Sequence, residues 1–120
     1  MNILITGNIA SLAPDLSKRL CGRNKVVIAE EKIEVDVMDK RAITFSYVPD
    51  DDMFSNLFKS YSFDCVVFLA SRKEIDKKIS SEFQKFETIL NLCDAHDVKQ
   101  VFYITSTEIL EWKIFQKVRR

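Results

Sequence analysis

The chain has 120 residues, of which 47% are hydrophobic and 30% are charged, a composition typical of one globular domain with a sizeable core. Its 18 basic and 18 acidic residues give a formal net charge of zero. That balance argues against nucleic acid as the main partner, because binding to phosphates needs many cations. No apolar run approaches the roughly 20 residues needed to cross a bilayer. The N-terminus also lacks the basic region and cleavage site of a signal peptide. We therefore expect one cytoplasmic domain over residues 1–120, with neither nucleic acid nor a membrane as partner.

The first 30 residues predict a strand, a helix and a second strand. The strand predicted over residues 2–6 has an unbroken apolar centre, Ile3-Leu4-Ile5, as expected of a strand that is covered on both faces. The helix is predicted over about 11–21, followed by a strand over 25–29 that ends at Glu30. The helix carries leucines at positions i, i+4 and i+8 of one face: Leu12, Leu16 and Leu20. This order is the layout of a dinucleotide-binding βαβ unit.

The third strand has two candidate positions in the sequence. Residues 32–37 and residues 43–48 both alternate between apolar and polar side chains. We prefer 43–48, because the following Pro49-Asp50-Asp51 is typical of a helix start.

The remaining sequence alternates helices and strands. A helix with an apolar stripe from Met53 to Tyr61 precedes a strand over 65–70, and a helix over 80–96 precedes a strand over 100–105. Such alternation predicts a three-layer, doubly wound α/β fold with parallel strand order 3-2-1-4-5. The apolar residues after the last strand predict either a short helix that covers this flank of the sheet or a contact with another subunit: Trp112, Ile114, Phe115 and Val118.

The three cysteines, Cys21, Cys65 and Cys93, are odd in number and fall in predicted helices or strands. We expect them to be reduced and buried, as in an intracellular protein. No Cys-x-x-Cys pair is present and His96 is the only histidine, so no metal site is predicted.

Four segments, in the same order along the chain, resemble one family. They are residues 1–7, which open the first strand, and residues 63–71, 88–92 and 98–108. In this ordered set the chain resembles the N-terminal, nucleotide-binding part of the extended short-chain dehydrogenase/reductases, the NAD-dependent sugar epimerases and dehydratases. The resemblance implies a Rossmann-like domain that is truncated before a substrate domain.

The family's turn after the first strand reads Thr-Gly-x-x-Gly-x-x-Gly. Here Thr6 and Gly7 match, Ala10 replaces the second glycine and Ala13 replaces the third. The second glycine lets the backbone approach the pyrophosphate, so Ala10 predicts weakened binding. The resemblance assigns the cofactor contacts of this turn to four residues: Gly7, Asn8, Ile9 and Ala10.

Glu30 occupies the position from which a carboxylate accepts hydrogen bonds from the ribose hydroxyls. Because a carboxylate repels a 2′-phosphate, Glu30 favours NAD over NADP. Near strand three the family places an acid and an aliphatic residue beside the adenine. The preferred strand gives Tyr47 and Val48 there, whereas the other candidate strand gives Asp36 and Val37. The sequence leaves both pairs open.

The resemblance places further site residues after strands four and five. Leu69, Ala70 and Ser71 would line the floor under the nicotinamide ribose, and Gln84 stands where the family has an asparagine.

Ser106 matches the family's substrate-orienting Ser or Thr, and Glu108 matches one of the two acids of the dehydratase branch. No tyrosine of the sequence is followed by lysine four residues later, so the family's Tyr-x-x-x-Lys pair is missing. We therefore predict a chain that binds NAD weakly and is inactive on its own.

A second hypothesis is a non-catalytic interaction or regulatory module that keeps the fold without binding nucleotide. It would contact a second copy or another protein through residues 109–120. A phosphoacceptor receiver domain has a similar sheet, but it needs an acidic pair after strand one, where this chain has Gly7 and Asn8.

Overall fold

The computed structural model describes residues 1–7, 12–31, 33, 35–46, 52–70, 77–104 and 109–113. These ranges contain, in chain order, β1 Asn2–Gly7, α1 Ala13–Leu20, β2 Lys25–Glu30, a 3-10 turn Val35–Val37, β3 Ile43–Ser46, α2 Met53–Ser60, β4 Cys65–Leu69, α3 Lys77–Ala95, β5 Gln100–Ile104 and β6 Ile109–Lys113. In these ranges no helix is long and apolar enough to cross a bilayer.

The strands form one sheet in the order β3-β2-β1-β4-β5-β6. The four pairings among the first five strands are parallel, as the sequence predicts: β1 pairs with β2 and β4, β2 with β3, and β4 with β5. The chain therefore has a Rossmann-like doubly wound sheet with strand order 3-2-1-4-5, extended by one strand.

The sixth strand corrects the expectation of a helix after β5. Residues Ile109–Lys113 run antiparallel to β5, with Ile109 opposite Ile104 and Trp112 opposite Val101. Branched and aromatic side chains suit a strand, and antiparallel strands can be joined by a short connection. Here β6, and not a helix, covers the edge of β5. The other apolar residues of that expectation, at 114–118, lie outside the described part of the chain.

The third strand lies where the sequence analysis preferred it. Ile43–Ser46 pairs with β2, Val27 opposite Ile43 and Glu30 opposite Ser46. The competing segment instead contains the 3-10 turn Val35–Val37.

Side chains that alternate along the strands build one core on each face of the sheet. On one face, α2 and α3 pack Leu57, Phe58, Phe86 and Ile89 against the strands. On the other, α1 contributes Ala13 to a second cluster. The two clusters take alternate residues of β1 and β4, which is why all five residues of β4 are buried. The sheet with helices on both faces is the predicted three-layer arrangement.

An aromatic group fixes α3 on the sheet. The ring centroids of Phe68 and Phe86 are 5.0 Å apart, and those of Phe86 and Tyr103 are 4.8 Å apart. Phe68 and Tyr103 stack at 5.8 Å with an interplanar angle of 6°. Such pairs contribute about 0.5–1.5 kcal/mol beyond the area that they bury. They hold the central part of α3 over β4 and β5.

The core face of α1 differs from the predicted leucine stripe. Leu12 is 36% exposed, whereas Ala13 and Ser17 are fully buried. Their small side chains allow the helix to lie close to the sheet, with Leu16 and Leu20 packed at the margin of the core. Ala13 therefore fits the third glycine position, which requires only close packing of helix on strand.

The three cysteines agree with the sequence analysis. Cys21, Cys65 and Cys93 are free thiols, and all are buried. Burial raises the pKa of the Cys93 thiol to about 12.

Candidate functional site

The carboxyl ends of β1 and β4 mark the point where the winding of the sheet reverses. From β1 the chain continues to β2 and β3 on one side, whereas β4 and β5 lie on the other. In open α/β sheets, ligands bind outside the carboxyl ends of the strands at such a switch point. The residues at these strand ends form the candidate site.

Gly7 closes β1 in a conformation that only glycine adopts easily. Its φ angle is +102°, and a Cβ atom there would lie 2.4 Å from the carbonyl oxygen of Leu69 and 2.8 Å from its nitrogen. Gly7 and Leu69 are also register partners in the β1–β4 pair. The two backbones therefore meet at the switch point with no room for a side chain.

Thr6 ties the end of β1 to the end of β2. Its hydroxyl donates to the carbonyl oxygen of Ala29 at 2.8 Å, and the side chain is fully buried. Ala29 directly precedes Glu30, so this bond helps to fix the strand end that presents the carboxylate. Thr6 was not among the residues predicted to form the site. The available signal was a hydroxyl directly after the apolar run Ile3-Leu4-Ile5, because a hydroxyl must find an acceptor when it is buried.

Glu30 does not stand alone at the end of β2. Its Oε1 atom accepts from the Lys85 ammonium at 3.2 Å and from the backbone N–H of Glu31 at 2.7 Å. The side chains of Glu30 and Lys85 are only 15% and 23% exposed. The acid that was predicted to bind ribose thus forms a largely buried ion pair that joins β2 to α3.

Lys85 is the residue of this site that the sequence analysis missed. The resemblance pointed to the neighbouring Gln84, but the side chain of Gln84 is exposed. Its backbone carbonyl oxygen accepts from the Thr88 hydroxyl at 3.0 Å. The sequence shows only that Lys85 directly precedes Phe86, a residue of the apolar face of a long helix. A pairing across 55 positions cannot be read from one sequence.

Leu69 and Ala70 lie at the end of β4, as expected. Leu69 is buried and Ala70 is half-buried. The N–H of Ala70 donates to the carbonyl oxygen of Ile104 at 2.7 Å, which extends the contact between the ends of β4 and β5. The backbone of Leu69 lies directly against Gly7, and Ala70 follows it at the strand end.

Eight predicted site residues lie outside the described part of the chain: Asn8, Ile9, Ala10, Tyr47, Val48, Ser71, Ser106 and Glu108. The alternative adenine pair, Asp36 and Val37, is described and is exposed in the 3-10 turn. Of the predicted residues, the structure therefore brings together Gly7, Leu69 and Ala70, and it places Glu30 one strand away, at the end of β2.

A clear electrostatic feature outside the site precedes β3. The Arg41 guanidinium donates to both carboxylate oxygens of Asp39, each at 2.9 Å. These bonds hold the pKa of Asp39 well below its usual range. The backbone N–H of Asp39 also donates to the Ser17 hydroxyl at 3.0 Å, which joins this turn to α1. The part of the chain that the structure describes contains no cluster of His, Cys, Asp and Glu suited to a metal ion.

No protein-family model and no curated protein matches the sequence. Solved structures do. A UDP-glucose 4-epimerase superposes with a TM-score of 0.66 at 17% identity, over 86% of this chain and 35% of that protein. The ADP-L-glycero-D-manno-heptose-6-epimerase of Helicobacter pylori gives a TM-score of 0.62 at 16% identity, over 88% of this chain and 39% of the enzyme.

A third similar structure is the UDP-N-acetylglucosamine 4-epimerase of Bacillus cereus, with a TM-score of 0.52 at 20% identity, over 86% of this chain and 36% of that one. The chain thus spans little more than a third of the length of the epimerases that it resembles. At these identities the similarity is one of fold. It confirms the Rossmann-like fold and the structural resemblance to sugar epimerases.

Proposed function

We propose that this chain is an NAD-binding Rossmann domain of the epimerase/dehydratase type. The observation that carries the proposal is Gly7, whose positive φ and contact with Leu69 leave no space for a Cβ atom. The first glycine of the dinucleotide-binding motif makes the tight turn after the first strand, and Gly7 occupies that position. A dinucleotide needs such close approach to the strand ends, which supports the proposal.

The residues of the site have separate roles in this proposal. The N-terminus of α1 attracts the pyrophosphate, because free backbone N–H groups and the helix dipole favour an anion there. Glu30 accepts hydrogen bonds from a ribose, and Leu69 and Ala70 support the nicotinamide end. NAD, when bound, would supply hydride transfer. Ala10 weakens the affinity, and the carboxylate of Glu30 makes NADP the weaker ligand.

We also propose that the 120-residue chain does not turn over nucleotide sugars by itself. Ser106 would orient a substrate oxygen and Glu108 would move a proton, but the sequence has no Tyr-x-x-x-Lys pair. A positioned acid–base group contributes about 10²–10⁴-fold to rate, and loss of substrate positioning costs as much again. The buried free thiols support a reducing compartment such as the cytoplasm.

Calorimetric titration with NAD tests the binding proposal. We expect weak heat of binding at millimolar NAD, weaker binding of NADP, and tighter NAD binding by Ala10→Gly. The matched control is Ala95→Gly, which makes the same change at the last residue of α3, where it should leave the affinity unchanged. Absence of binding heat in both the unmodified chain and Ala10→Gly would overturn the proposal.

A non-catalytic interaction module is the second candidate. The Glu30–Lys85 ion pair favours it, because a carboxylate that a lysine already holds can serve to join β2 to α3 without any ligand. In this alternative, a second copy or another protein contacts residues 109–120. Light scattering after gel filtration would detect a dimer of this chain, and a monomer with no NAD affinity would leave a different protein as the partner.

A further inference from the structure

The Glu30–Lys85 ion pair joins the ribose-binding strand end to a different layer of the fold. Lys85 lies on α3 and Glu30 ends β2, with 3.2 Å between Nζ and Oε1. Because both side chains are mostly buried, solvent and salt screen this pair less than a surface pair. The charge that a ligand meets at the end of β2 therefore includes that of Lys85 and is not that of Glu30 alone.

Both partners are held in position by neighbouring contacts. Phe86 follows Lys85 and is 3% exposed, packed against Phe68 and Tyr103. On the other side, the Thr6 hydroxyl bond to Ala29 fixes the residue before Glu30. The ammonium group therefore stays beside the carboxylate, whereas a lysine on an exposed helix surface would move away easily.

We propose that Lys85 is a specificity-determining residue that keeps the preference for NAD over NADP small. This inference depends on the proposed dinucleotide site. A lone carboxylate at the ribose repels the 2′-phosphate of NADP, which carries nearly two negative charges. The Lys85 ammonium cancels most of that repulsion at short range, since it adds an opposite charge at almost the same place. Glu30 still accepts the ribose hydroxyl, so NAD remains the better ligand by a modest factor.

The test measures dissociation constants of NAD and NADP for five forms of the chain. The readout is the ratio of the NADP constant to the NAD constant, because a general loss of fold affects both ligands equally. We expect a ratio below about 10 for the unmodified chain. Lys85→Met should raise the ratio about tenfold, since one unit charge is removed next to the phosphate position.

Three further variants separate charge from structure. Lys85→Arg keeps the charge, so its ratio should stay near that of the unmodified chain. Lys99→Met removes a lysine that precedes β5, where the strands start. The side chains of Lys99 and its partner Asp97 are 66% and 72% exposed, so this substitution should leave the ratio unchanged. Glu30→Gln removes the carboxylate and keeps the ammonium of Lys85, so it should reverse the preference toward NADP. This last variant tests the inference even where Lys85→Met fails to fold.

The possible failures are distinguishable. If NAD and NADP bind but the ratio is the same in Lys85→Met and Glu30→Gln as in the unmodified chain, this inference is overturned and the dinucleotide site stands. If neither ligand binds to any of the five forms or to Ala10→Gly, both the site and this inference are overturned.

Discussion

The two sides of the sheet at which the parallel strands start and end are built in different ways. We call them the amino edge and the carboxyl edge. At the amino edge, hydrogen bonds tie the strand starts to one another: the Asn2 N–H donates to Asp64 Oδ2 at 2.8 Å, its side-chain amide donates to the Ser62 carbonyl at 3.1 Å, and the Lys25 N–H donates to the Met1 carbonyl at 2.9 Å. At the carboxyl edge, the Thr6–Ala29 and Ala70–Ile104 hydrogen bonds also tie the strand ends together. This edge has in addition a left-handed glycine pressed against Leu69 and a largely buried ion pair.

The difference indicates which edge is specialised for a ligand. Exposed backbone and amide bonds stabilise the fold modestly, by about 0.5–1.5 kcal/mol each, and they impose no unusual geometry. A glycine at positive φ and a desolvated charge pair cost free energy to assemble. Features of that kind concentrate where a backbone or a ligand must approach closely, so the comparison supports a site at the carboxyl edge.

Gly7→Ala should have the largest effect. The new Cβ would lie 2.4 Å from a backbone oxygen, which cannot rotate away, at a φ of +102° that alanine avoids. We expect a loss of about 3–5 kcal/mol of unfolding free energy and a melting temperature lower by about 10 °C or more. Thermal and urea unfolding measure both.

The control for that prediction is Gly22→Ala in the turn after α1. No atom lies within 4 Å of a Cβ at Gly22, and its φ is not positive. Its stability should stay within about 0.5 kcal/mol of the unmodified chain. Equal destabilisation by the two substitutions would contradict the special status of Gly7.

Thr6→Val should have an intermediate effect. Valine has the shape of threonine but cannot donate to the Ala29 carbonyl, so a buried hydrogen bond is lost. We expect a loss of about 1 kcal/mol. The matched control is Thr88→Val on α3, where an exposed hydroxyl bonds only within its own helix and the change should be smaller than about 0.5 kcal/mol. Urea unfolding that ranks the two variants in the opposite order would refute this account of Thr6.

The parallel sheet was predictable from the sequence because apolar runs of strand length alternate with helical stripes. Residues 65–69 illustrate this, since all five are apolar and all five are buried. The last strand, β6, was not predictable from the sequence. Trp112 and its neighbours suit either a helix or an edge strand, and tertiary pairing decides between the two.

The candidate site was predictable only in part. Gly7 and Glu30 follow strands, so their place at the strand ends was visible from local pattern. The partnership of Glu30 with Lys85 depends on how α3 crosses the sheet, which Phe86 sets by packing. The exposure of Leu12 has a similar origin, because close contact at Ala13 and Ser17 rotates the helix face.

Asp64→Ala should have the smallest effect and is the sharpest test of the comparison, because it acts at the amino edge alone. The substitution removes the carboxylate that accepts the Asn2 N–H, but it keeps the reciprocal bond from the Asp64 N–H to the Asn2 carbonyl at 2.8 Å. Since Asp64 is exposed, water replaces the lost acceptor. We expect a loss of about 0.5–1 kcal/mol and no change in the dissociation constant for NAD. Glu87→Ala, which removes an exposed carboxylate from α3, serves as control and should leave stability within about 0.5 kcal/mol. A change in NAD affinity by Asp64→Ala would show that the two edges are coupled, and would remove the ground for assigning stability to one and ligand binding to the other.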